Sequence, residues 1–223
     1  MYYYWDYGLQ GVLFPGTTRV KEFDPILFTV HFGSGLRGNY DPNSGRIFLR
    51  EGAWCRHCLI HETLHSVSIF AANIRVGDQY PFLREGLTEF MTGYVLWQQH
   101  PHCYESWKER TYPDWCALSQ DYGNMARIWY TFCRFIDLEK VKKLFFGNGE
   151  QRWSTVWSSF LGEIRAAGYN FNDPLRGTRG RLQDRFLDEC KRNFGRAQVE
   201  RIVEMESFNF EYETLHQDAC SPC

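Results

Sequence analysis

No apolar run in the chain approaches the roughly 18 residues a membrane-spanning helix requires, so no transmembrane segment is expected. The opening stretch, MYYYWDYGLQG, has no cationic region, no long apolar core and no small-residue cleavage site, and it does not read as a signal peptide. If the chain is the full precursor, its expected location is the cytoplasm. Neither sign of charge is in excess: Lys and Arg number 25 against 27 Asp and Glu, a net charge of −2. That balance supplies no whole-molecule field to draw in nucleic acid or an anionic membrane. Internal repeats and low-complexity tracts are missing as well. The hydrophobic fraction of 43% excludes a disordered chain, and 223 residues suit one large domain with a sizeable core.

Aromatic residues are plentiful, with 18 Phe, 13 Tyr and 8 Trp making 17% of the chain, and there are eight Cys. Two cysteine pairs are spaced CxxC, Cys55/Cys58 in WCRHC and Cys220/Cys223 in the terminal CSPC. Roughly 160 residues separate them, far from the spacing of a zinc ribbon. Buried reduced thiols, disulfides and a structural metal all remain open for these cysteines.

Residues 25–32 (PILFTVHF) and 46–50 (RIFLR) read as strands, the second preceded by the turn signal Tyr40-Asp-Pro-Asn-Ser-Gly45. From Ala53 to Ile74 the period becomes helical. A break at Gly77-Asp78 is expected before a second helix, Pro81 to Gln99. Further helices are expected over about 114–137, 138–147, 151–167, 181–194 and 196–206. Strands followed by helices indicate an α+β fold rather than a doubly wound sheet. The organisation this implies is a subdomain with a small sheet at 1–110, a helical subdomain packing on it at 111–206, and an irregular tail at 207–223.

The chemistry-bearing motif is His61-Glu62-Thr63-Leu64-His65, an HExxH. Histidines at i and i+4 on one helical face can grip one Zn²⁺, and the glutamate between them can reach a metal-bound water as general base. On a helical wheel His61, Glu62 and His65 fall within about 100° of one another, opposite Ile60, Leu64, Val67, Phe70 and Ala71. The helix therefore buries its back and presents His-Glu-His forward.

Two histidines do not complete a catalytic zinc site, so a third protein ligand must come from elsewhere. Glu85 lies 20 positions past His65, far enough for one helix to end, turn and return antiparallel. It shares one helical face with Glu89, whereas Leu87, Phe90, Met91 and Tyr94 lie on the other. Two solvated carboxylates at i and i+4 repel each other, but beside a dication both become favourable. Glu85 is thus expected as third metal ligand, and Glu89 as the acceptor for the outward N–H of a metal-bound imidazole. Cys58, one turn before His61 on the same stripe, is a weaker candidate for the fourth position or for a redox partner of Cys55.

HETLH followed by REGLTEF resembles the gluzincin metallopeptidases, the HExxH…E group with thermolysin-like and aminopeptidase-N-like members. The resemblance spans about residues 45–100, with a fainter echo to about 165. It implies a zincin-like fold, one catalytic Zn²⁺ held by His61, His65 and Glu85, Glu62 as general base, and Glu89 supporting the first histidine. It also implies an edge strand for the substrate, placed at Arg46–Arg50, and a tyrosine stabilising the oxyanion. The segment Tyr122-Gly-Asn-Met-Ala126 makes Tyr122 the candidate for that role, with Tyr130 behind it. The segment between Gly33 and Gly45 lacks the GxMEN pattern that holds a substrate's free amine in aminopeptidase-N-like enzymes, which favours an endopeptidase. With no calcium-loop pattern and a short chain, the sequence resembles a minimal gluzincin with a helical C-terminal extension.

The expected activity is zinc-dependent hydrolysis of peptide bonds, with a peptide or protein as partner and neither nucleic acid nor membrane. A non-proteolytic or self-inhibited zincin-fold binding protein is the alternative. A nucleic-acid module is the third option, but the eight Lys and Arg between 176 and 201 are interleaved with Asp184, Asp188, Glu189 and Glu200, the pattern of a salt-bridged helix pair.

Overall fold

Asp41 sets the first turn that can be followed. Its carboxylate accepts from the Asn43 backbone N–H (3.0 Å) and the Ser44 hydroxyl (2.6 Å), and Gly45 takes a positive φ of 63°. This closes a hairpin between β2 (Gly38–Asp41) and β3 (Arg46–Arg50), registered Gly38 to Leu49 and Asp41 to Arg46. The fold is described here from a computed structural model, for residues 19–23, 38–50, 56–99 and 117–204. A further strand, β1 (Arg19–Phe23), pairs parallel to β3, so the sheet order is β1-β3-β2. The edge position expected for Arg46–Arg50 is therefore corrected: β3 is the central strand, and among the described residues β2 lies at the border. The strand expected at 25–32 and the tail at 207–223 lie outside the described residues.

The helices follow as α1 (Arg56–Val67), α2 (Ile69–Ala72), α3 (Ile74–Gln79), α4 (Pro81–Gln99), α5 (Ala117–Cys133), α6 (Leu138–Phe146), α7 (Trp153–Ala166), α8 (Leu182–Phe194) and α9 (Arg196–Glu204). The chain is mostly helical with a small sheet, an α+β arrangement. One helix was expected over 53–74, but the chain breaks at Ser68, extended at ψ 159°, and again at Asn73. Ser66 and Ser68 donate to the carbonyls of Thr63 and His65, and the Asn73 amide donates to those of Ile69 and Gln151, diverting backbone acceptors from the helical ladder. The break expected at Gly77-Asp78 falls instead at Tyr80. Gly77 stays helical and buried, and an added Cβ there would meet Arg84 Cδ at 2.8 Å. Pro81 opens α4 as expected.

One hydrophobic cluster runs from Ile60 to Ile202, so helices from both sides of the expected boundary at 110/111 share a core. Its centre absorbs much of the aromatic excess. Phe82, Trp129, Phe132, Phe160 and Phe186 are all within 3% of full burial, with ring centroids 4.7–6.4 Å apart in the pairs that touch. The Trp129 indole N–H donates to the Phe82 carbonyl at 3.1 Å. A smaller cluster of Ile47, Leu49 and Cys58 joins β3 to α1. No helix among the described residues is long and apolar enough to cross a membrane.

Helices α4 and α5 approach closely at Gly86, where an added Cβ would sit 2.7 Å from Met125 Cβ. Helix propensity alone favours alanine over glycine there by about 0.5–1 kcal/mol. The blocked Cβ reverses that preference, so Gly86→Ala should destabilise the fold by about 1–3 kcal/mol in denaturant unfolding. Equal or higher stability of the variant would show that the two helices separate at no cost.

Candidate metal centre

The site is a ladder between two helices. Along α1, His57, His61 and His65 repeat every four residues, and along α4 Glu85 and Glu89 repeat at the same interval. Four residues rise about 6 Å in any α-helix, so each carboxylate falls between two imidazoles. Glu89 meets His57 Nε2 at 2.9 and 3.1 Å and His61 Nδ1 at 2.9 Å. Glu85 Oε2 lies 3.1 Å from His65 Nε2 and 3.4 Å from His61 Nε2, and these two nitrogens are 3.0 Å apart. Two groups are thereby close enough to hold a metal ion, His61/His65/Glu85 and His57/His61/Glu89.

In the first group two imidazole nitrogens and a carboxylate oxygen converge at about hydrogen-bond distance. Three lone pairs so placed repel one another unless a proton or a cation lies among them. The charges around His61 act in the same sense. Burial works against its charged form, but Glu85 and Glu89 outweigh that and push its pKa from 6.5 up to about 10. Burial would likewise raise Glu85 and Glu89, yet the histidines hold both carboxyls well below the usual range: His65 and His61 act on Glu85, His57 and His61 on Glu89.

The groups behind the donors fix their orientation. Glu89 can only accept, so His61 carries its proton on Nδ1 in the neutral form and turns the Nε2 lone pair inward. Thr88 Oγ1 donates to the Arg84 carbonyl at 2.7 Å, which leaves its oxygen to accept from His65 Nδ1 at 3.3 Å. Arg84 holds Glu85 Oε1 at 3.1 Å and is itself held by Asp78 at 2.6 Å, leaving Oε2 for the centre.

His57, His61, His65, Thr88 and Glu89 are buried, whereas Glu62, Glu85 and Tyr122 keep some exposure, so the donor group opens on their side. Glu62 packs against β2, where a Cβ on Gly38 would lie 2.8 Å from its Cγ and 3.0 Å from Oε1. The Tyr122 ring lies parallel to that of His61, with centroids 6.3 Å apart. Burial first, then the Glu85 charge, push its phenol up and keep it a hydrogen-bond donor.

The six residues singled out in the sequence, His61, Glu62, His65, Glu85, Glu89 and Tyr122, thus gather at one place. Tyr130 does not; it is buried in the main core. Cys58 is corrected as well. It faces Ile47 and Leu49 under the sheet and belongs to neither donor group, because α1 turns the residue three before His61 toward β3. Cys55 lies outside the described residues. Sequence reading missed His57, although its spacing of four before His61 was visible, and missed Thr88, Arg84 and Gly38, which no motif marks.

His61 contributes stability fully below its ordinary 6.5, and this is lost as pH rises through about 10. Chelator-treated protein should therefore lose thermal stability across that interval. Added Zn²⁺ should restore it, increasingly with pH as the proton it must displace becomes easier to remove. Melting curves with and without the ion at several pH values test this; a chelated protein that gains stability toward pH 10 would contradict it.

Compared with protein-family models, with curated proteins and with solved structures, the chain matches none of them.

Proposed function

We propose that the chain is a zinc-dependent peptidase of the gluzincin type with a zincin-like fold, acting as an endopeptidase. The observation that carries this reading is the convergence of His61 Nε2, His65 Nε2 and Glu85 Oε2 beside Glu62. Their separations of 3.0, 3.1 and 3.4 Å are close to the roughly 3.3 Å between neighbouring ligand atoms of a tetrahedral zinc with bonds of about 2.0–2.1 Å. Two imidazoles and one carboxylate, with an open side, are also the donor set of catalytic rather than structural zinc.

His61, His65 and Glu85 would hold the zinc, which would supply acidity to a water and polarise a carbonyl. Glu62 takes the proton of the attacking water and returns it to the leaving amine. Tyr122, neutral and facing the same opening, donates to the oxygen on which charge develops. Strand β2 replaces β3 as the strand on which an extended substrate lies: among the described residues it pairs on one side only, and its Gly38 end touches Glu62. That pairing is indifferent to side chains and suits a peptide substrate.

Glu62→Gln should keep one equivalent of zinc and lose about 10²–10⁴-fold in kcat on a cleavable peptide. Zinc retained together with undiminished turnover would refute Glu62 as base; a parent that binds zinc and cleaves nothing would favour the non-proteolytic alternative. Gly38→Ala should also keep zinc but push Glu62 aside, lowering kcat by up to about 10²-fold. Unchanged turnover would show that Glu62 does not depend on the close approach of β2.

A further inference from the structure

The second donor group, His57/His61/Glu89, shares His61 with the first. A neutral imidazole has one lone pair and one N–H, so His61 can serve a metal through only one nitrogen at a time. Both sides offer three donors, but the Nε2 side has an opening bordered by Glu62, Glu85 and Tyr122, which are partly exposed. The Nδ1 side is closed: His57 is 8% exposed and Glu89 4%. The metal therefore belongs on Nε2, and the second group has a different use.

We propose that His57 is a positioning residue for the metal centre, acting through Glu89 on His61. Glu89 accepts from His61 through Oε2 alone, at 2.9 Å, a contact about which its carboxylate can pivot. His57 Nε2 spans both oxygens at 2.9 and 3.1 Å, and because a carboxylate only accepts, it does so as a donor. The carboxylate plane is then fixed from one side while its negative charge faces the His61 N–H on the other. That fixes the His61 ring, selects its Nδ1–H tautomer and strengthens Nε2 as a ligand. Helix α1 supplies both the ligand and the group that steadies its support, four residues apart, so the arrangement is rigid along one helix.

The inference rests on the metal-centre part of the proposed function and not on hydrolysis, so its test is metal binding to the full chain. Metal-stripped parent, His57→Gln, His57→Asn, His57→Phe and His61→Ala proteins are titrated with Co²⁺, reading affinity and visible absorption bands. Glutamine places an amide N–H where His57 Nε2 stands; asparagine is polar but too short to reach Glu89. One equivalent should bind the parent and none His61→Ala. The asparagine and phenylalanine variants should bind about 10–100-fold more weakly with altered bands, and glutamine should recover most of the loss. If the phenylalanine variant does not fold, the glutamine–asparagine pair still decides. Parent-like affinity and bands in the asparagine variant would overturn the proposal even if its melting temperature fell, since His57 would then only pack. A second equivalent in the parent that disappears with His57 would overturn it too, making His57 a ligand. A parent that takes up no Co²⁺ would remove the metal reading itself, a failure distinct from the other two.

Discussion

Everything at the site depends on the interleaving of three imidazoles from α1 with two carboxylates from α4. Antiparallel helices share the same rise per residue, so one matched pair of side chains four residues apart brings the next into step. His65 meets Glu85, His61 meets both glutamates, and His57 meets Glu89. A slip of one residue would turn these groups toward the apolar faces, where Leu64 and Leu87 are 5% and 0% exposed. Four buried ionisable groups and the partly buried Glu85 are tolerated only because each finds a partner on the opposite helix.

The rest of the fold serves that register. Gly86 lets α5 close on α4 and carry Tyr122 over His61. The β2–β3 hairpin lies against α1 through Ile47, Leu49 and Cys58, which brings Gly38 to Glu62. The short turns at Ser68 and Asn73 end α1 just past His65, and α3 then reverses the chain so that α4 returns alongside. Within α4, Arg84, Glu85, Thr88 and Glu89 fall on one stripe, so a single helix provides one candidate ligand and the groups that orient all three.

Much of this was legible because it is periodic. The HExxH spacing, the apolar back of α1 and the paired glutamates of α4 are helical signals, and helical return over 20 residues brings Glu85 to His65. The breaks at Ser68 and Asn73 were not legible, since they arise where a side chain takes a carbonyl that the helix would otherwise use, and Ser or Asn does so only in some surroundings. β1 reads Arg-Val-Lys-Glu-Phe, too charged and too short to alternate clearly, and pairing to a strand 27 positions later is a tertiary fact. The wheel placed Cys58 with His61 because it marks angle and not height; one turn lower, the same face meets the sheet. His57 was overlooked because the motif ends at His61, whereas the ladder continues for one more rung.

Charge balance gives the ladder its chemical bias. Glu62, Glu85 and Glu89 bring three negative charges to the centre, and Arg84 returns one positive charge to Glu85. Protons on the imidazoles offset this, or a dication among neutral imidazoles brings the sum to zero while satisfying the three converging lone pairs. In a mostly buried site, where uncompensated charge is expensive, one or the other has to be present. It also sets Glu62 apart. Glu85 and Glu89 are held by histidines, whereas Glu62 lies partly exposed against Gly38.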